Sequence, residues 1–153
     1  MHLARFTCFA FPLVLAPALT CPAAAQRLPV ERISLPPGFE ISVFADNLPN
    51  ARSMALGKGD VLFVGTRTAG KVYALRYREG RATQVFTIAS GLNMPNGVAF
   101  RDGSLYVAEV SRILRFDDIE ARLERPPAPV VVSDRFPADT HHGWKFIRFG
   151  PDG

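Results

Sequence analysis

Cysteine is nearly absent. Cys8 and Cys21 are the only two, both lie within the first 25 residues, and that stretch reads as a secretory leader. A mature chain without it could form no disulfide even in an oxidising compartment, so its stability has to come from core packing. Long apolar runs are missing as well: the longest, Phe6 to Leu19, is broken by Pro12 and Pro17, and a bilayer asks for ~20 helical residues. That excludes an integral span after the leader is removed. Lysine is scarce, with 3 Lys against 15 Arg among the 18 basic residues. The formal charge is only +4 and is spread along the chain, its tightest cluster being Arg76, Arg78 and Arg81 beside Glu79. A nucleic-acid binder gathers its charge on one stripe or helix, and this chain does not. The composition, 48% hydrophobic and 21% charged, is that of an ordinary globular protein.

What is present begins with the leader itself. Arg5 supplies a basic start, Phe6 to Leu19 a short apolar stretch, and Ala23-Ala24-Ala25 small residues for cleavage before Gln26. Residues 1–25 are expected to direct export to the periplasm or beyond, with 26–38 as a lead-in and 39–153 as the folded domain. A lipid anchor on Cys21 would need a better lipobox than Ala18-Leu19-Thr20.

No stretch after Phe39 keeps a helical period, and short alternating runs follow one another between turn residues. The spacing predicts strands over Phe39–Ala45, Ser53–Leu56, Val61–Gly65, Lys71–Tyr77, Thr83–Ala89, Gly97–Phe100, Ser104–Val110, Ile113–Phe116, Val130–Ser133 and Lys145–Phe149. Asp102-Gly103 between two apolar runs is the clearest hairpin signal. A repeat runs through these strands. Met54-Ala55-Leu56, Val98-Ala99-Phe100 and Ile147-Arg148-Phe149 occupy equivalent places, 44 and then 49 residues apart. Val61–Val64 answers Leu105–Ala108, and Lys71–Leu75 answers Arg112–Phe116. A period of roughly 40 to 50 residues holding about four strands is the mark of β-propeller blades. The expected fold is therefore all-β, an incomplete propeller of about two and a half blades, with a pair of sandwiches or an irregular barrel as the alternative. An open arc of blades exposes strand edges, so self-association is expected.

In a propeller, loops from one end of the blades gather around the central channel. Those loops here carry Arg52, Asn93 with Asn96, and His141 with His142 in one set, and Arg67 with Thr68, and Glu109 with Ser111 and Arg112, in the other. The sharpest motif is Thr140-His141-His142-Gly143-Trp144-Lys145, which holds two of the three histidines and the only tryptophan. An imidazole facing a channel suits proton abstraction from a hydroxyl, and a plain surface histidine pair is the alternative. Adjacent histidines seldom point at one ion and no further ligand follows at spacing, so no metal site is assigned. Asn96 either lines the channel or only shapes the Pro95-Asn96-Gly97 turn. Arg67 is either an anion clamp or an exposed loop arginine, and Glu109 either a channel carboxylate or the partner of Arg112. Lys145 completes the lining candidates.

Leu35-Pro36-Pro37-Gly38-Phe39, Arg67-Thr68-Ala69-Gly70-Lys71-Val72, Pro95-Asn96-Gly97-Val98-Ala99-Phe100 and His141-His142-Gly143-Trp144-Lys145-Phe146 through Gly150-Pro151-Asp152-Gly153 resemble the N-terminal portion of sorbosone-dehydrogenase-type proteins. These are relatives of the soluble sugar dehydrogenases that use pyrroloquinoline quinone (PQQ). The resemblance implies a six-bladed quinoprotein oxidoreductase of small sugars, using PQQ and Ca2+, in which the histidine matched by His142 takes the proton from the sugar hydroxyl while hydride passes to the quinone. In that family an aspartate precedes the base; here the residue is His141. The resemblance implies that the family's arginine beside the quinone, its remaining cofactor-binding residues and its calcium-binding loop all lie in later blades, beyond these 153 residues. Two other readings stand beside it: a metal-dependent lactonase propeller of the gluconolactonase type with Asn96 as a ligand, and a non-catalytic truncated remnant.

Overall fold

A computed structural model describes residues 28–152. The leader, both cysteines and the cleavage region lie outside the described residues. Two four-stranded antiparallel sheets make up the fold, and each strand pairs with its neighbour in sequence. The first holds β1 (Ala51–Leu56), β2 (Val61–Thr66), β3 (Val72–Arg78) and β4 (Arg81–Ala89); the second holds β5 (Gly97–Arg101), β6 (Ser104–Ala108), β7 (Ile113–Phe116) and β8 (Val130–Ser133). Helix is confined to single 3-10 turns at Val30–Arg32 and Ile119–Arg122. Among the described residues no helix is long and apolar enough to cross a membrane.

Turn chemistry sets the hairpins. Glu79-Gly80 and Asp102-Gly103 form two-residue loops with positive φ at every position, 50° and 71° in the first and 48° and 78° in the second. Such loops match the twist of the flanking strands, and glycine reaches positive φ without a Cβ penalty. They close Arg78 onto Arg81 and Arg101 onto Ser104.

The two sheets repeat in register. Met54 pairs with Val64, Val64 with Tyr73 and Tyr73 with Thr87; Val98 pairs with Val107, Val107 with Leu114 and Leu114 with Val131. Met54 and Val98 therefore stand on the same rung, with Tyr73 answering Leu114, but the second strands are offset by one from the sequence alignment: Val64 is matched by Val107 and not by Ala108.

Period-2 alternation gives the first sheet two buried faces. Phe63, Val72 and Ala74 join Val98, Leu105, Val107 and Phe116 in one core between the sheets. Val64, Tyr73 and Leu75 face the other way and pack on Phe44, Ala45 and Leu48. Phe63 and Phe100 stack between the sheets with centroids 5.5 Å apart and planes at 18°, within the offset geometry aromatic pairs prefer. Glu120 adds a polar clasp, its carboxylate accepting the Lys58 and Gly59 N–H at 2.8 and 3.2 Å. The second repeat thereby holds the β1–β2 turn of the first.

Two expected strands are not strands. Phe39–Ala45 lies over the first sheet as irregular chain, bonded to the sheet by the Ala82 N–H donating to Phe44 O at 2.9 Å. Lys145–Phe149 runs beside β5 and Phe149 meets Tyr106 edge-on at 5.0 Å. Both segments alternate like strands, but a strand needs a ladder partner and no described segment pairs with either. The third triplet nevertheless comes to its expected place. Met54–Leu56, Val98–Phe100 and Phe146–Phe149 together line one cavity of about 380 Å³.

Candidate functional site

Three separate stretches of chain supply the site. Arg52 stands on β1, exposed and two residues before Met54. Arg67 lies in the β2–β3 turn, which Thr66 braces from within: its hydroxyl donates to Lys71 O at 2.7 Å and accepts the Lys71 N–H at 3.0 Å. Gly70, at φ 62°, closes that turn by donating to Arg67 O at 3.3 Å. A Cβ there would come within 2.8 Å of Leu92 O, so the glycine answers to close approach as well as to φ.

The histidine stretch follows β8 and is held by its own backbone. Gly143 N–H donates to Thr140 O at 3.3 Å, and a Cβ on Gly143 would overlap Asp139 O and crowd Val110. His142 takes φ 56°, a left-handed conformation uncommon outside glycine, asparagine and aspartate. Lys145 locks the far side, its ammonium donating to Val110 O and, at 3.2 Å, to Gly143 O, while lying 5.0 Å from the Phe136 ring.

Trp144 is where these pieces meet. The Arg67 guanidinium lies 4.2 Å and that of Arg52 5.4 Å from its ring centroid, inside cation–π range. The His142 ring stands 5.4 Å away, tilted by 39°, and His141 packs edge-on against His142 at 4.4 Å. Both imidazoles are exposed. The result is an indole flanked by two permanent cations and one titratable base, open to solvent: a surface suited to a planar or anionic ligand beside a proton acceptor.

The remaining candidates take other positions. Asn96 is 3% exposed, and its Nδ2 donates to Lys145 O at 2.8 Å. That bond ties the second repeat to the segment carrying the histidines, while Oδ1 is buried without a partner. Lys145 is a structural clamp with its charge turned onto backbone carbonyls. Glu109, buried, is bonded to Arg112 and accepts the Asn93 N–H at 2.6 Å. The carboxylate raises the pKa of Arg112 through that hydrogen bond and its charge, and the salt-bridge alternative for Glu109 is the one seen. Among the described residues no three His, Cys, Asp or Glu side chains gather in a metal-holding arrangement.

Arg52 and Trp144 stand in the loop set and motif that the sequence marks, but sequence alone assigns a role to neither. The signal for Arg52 was the repeat itself, which places it 44 residues before Asn96. Comparison of the sequence with protein-family models and with curated proteins returns no match.

Proposed function

We propose that this chain forms part of an exported six-bladed β-propeller of the quinone-dependent sugar and sorbosone dehydrogenase type, with His142 as the base that accepts the sugar's hydroxyl proton. The observation that carries this reading is the meeting of His142 and Trp144 with Arg67 and Arg52 of the first repeat at one solvent-open place. The cavity lined by the first-strand residues Met54–Leu56 and Val98–Phe100 together with the irregular Phe146–Phe149 segment supports the propeller reading, since blades arranged about an axis bring their first strands together.

Charge and shape fit a planar quinone carrying carboxylates: Arg52 and Arg67 would hold its negative groups and Trp144 its flat face. Arg67 Nε, buried without an acceptor, is a donor such a group would satisfy. When bound, the quinone supplies the two-electron acceptor that no side chain can provide. His142 would take the hydroxyl proton from a sugar lying against Trp144, and the packing of His141 against it limits the directions its ring can face. Asn96, Lys145 and Gly143 hold the backbone that aims it. Calcium is different. The described residues offer no cluster that fits it, and no step is assigned to it.

One observation favours the lactonase reading, the unpartnered buried Oδ1 of Asn96, which could face a cation. The two separate in one experiment on the purified chain with added calcium. Dye-coupled aldose oxidation that requires the quinone and disappears in His142→Asn is the expected result. Lactone hydrolysis without quinone would replace the dehydrogenase reading, and neither activity would leave the chain a non-catalytic module.

A further inference from the structure

Beside the indole lies a second, smaller recess. It has a volume of about 260 Å³ and is lined by Asn50, Ala51, Arg52, Arg67 and Thr68. Its lining is unusual for charge. The four ion pairs among the described residues involve Arg101, Arg112, Arg115 and Arg122, and neither Arg52 nor Arg67 has a carboxylate partner there. Arg67 Nε–H is buried with no acceptor, which is costly for a charged donor and rare in a finished site. The Thr68 hydroxyl and the Asn50 carboxamide are bonded to each other at the rim.

We infer that this recess binds a small oxyanion, carboxylate or phosphate, between the Arg52 and Arg67 guanidinium groups. Two like charges facing one indole repel each other, and the ring offsets only part of that repulsion at an exposed position. An anion presenting two oxygens would match the planar guanidinium fork and neutralise the repulsion at once. The volume admits a compact acid and not a chain of sugars. The inference concerns the arginine recess alone and holds whatever chemistry the histidines perform.

Trp144 reports on it directly, being the only tryptophan of the chain and in contact with both arginines. Succinate and inorganic phosphate, titrated separately at constant ionic strength, are expected to give a saturable change in its fluorescence, while sodium chloride gives none. Arg67→Met and Arg52→Met should each raise the midpoint tenfold or more, with Arg78→Met, exposed at the end of β3, unchanged. A response to only one of the two acids supports the site and identifies its chemistry. A response that chloride reproduces, or that keeps its midpoint in both arginine variants, overturns it. Should Arg67→Met fail to fold, Arg52→Met decides alone, because Arg52 is exposed and buries no core contact. The inference shares Arg52 and Arg67 with the quinone-holding role proposed above: an anion response in a chain that oxidises no aldose leaves the recess standing without the dehydrogenase reading, whereas aldose oxidation without an anion response overturns the recess alone.

Discussion

At His142 the backbone does part of the positioning. A left-handed φ of 56° disfavours most replacements but is well tolerated by asparagine. His142→Asn is therefore a change of chemistry with little change of backbone. If the proposed dehydrogenase reading holds, it should lower aldose oxidation by about 10²–10⁴-fold, the usual contribution of a general base, with the thermal midpoint little altered. Gly143 carries the opposite burden, having no room for a side chain against Asp139 O. Gly143→Ala should destabilise the fold by about 1–3 kcal/mol, the usual cost of forced overpacking, and shift Trp144 emission as the histidine stretch moves. Asp117 offers a pH-dependent test. The Arg115 guanidinium, bonded at 2.6 Å, and the Ser104 hydroxyl hold its carboxyl below the ordinary carboxylate range. A folded-state pKa below the unfolded one stabilises above the unfolded pKa, and the benefit is lost as pH falls through the folded value. Asp117→Asn should thus lower the melting temperature slightly at neutral pH and not at all in strong acid, checked by melting both proteins across that range. His142 and Arg67 were legible from residue type and place in the repeat. Lys145 turns its charge onto Val110 O and Gly143 O, a direction that sequence does not state, and the part played by Trp144 was not legible because stacking between repeats leaves no local mark.

Among the elements, legibility followed turn chemistry. Asp102-Gly103 and Glu79-Gly80 fix their hairpins by φ alone, and the strands they join were found within a residue or two. Ile113–Phe116 and Val130–Ser133 coincide with the spacing. Phe39–Ala45 and Lys145–Phe149 were overread, because alternation describes one chain whereas a ladder requires two. The end of β6 shows how an element is fastened. Glu109, 2% exposed, ties Arg112 and the Asn93 N–H together, joining β6, the turn to β7 and the approach to β5. Glu109→Ala strands two donors and should cost about 1–3 kcal/mol, readable as a lower urea midpoint; Glu109→Gln, which keeps one acceptor, should cost less.

For the whole molecule the open edge dominates. Val130, Val131 and Val132 on β8 are 45%, 51% and 49% exposed, and β8 pairs only with β7. Apolar edge strands of this kind invite pairing with another chain, and an inserted lysine blocks it. The described domain is expected to self-associate with rising concentration, and Val131→Lys to shift it toward monomer in sedimentation velocity. Equal sedimentation of the two proteins across concentrations would remove the edge as the cause. The two-sheet repeat was visible in the sequence because 44-residue spacing recurs in the strands themselves.

The neighbour-to-neighbour order of the strands also bears on how the chain acquires its shape. Every ladder closes between segments adjacent in sequence, so β1 to β4 can assemble while later residues are still emerging from the ribosome, or from a translocation pore. Phe63 must then wait for Phe100. During that interval half of an aromatic stack faces water, an apolar surface that the first sheet cannot cover by itself.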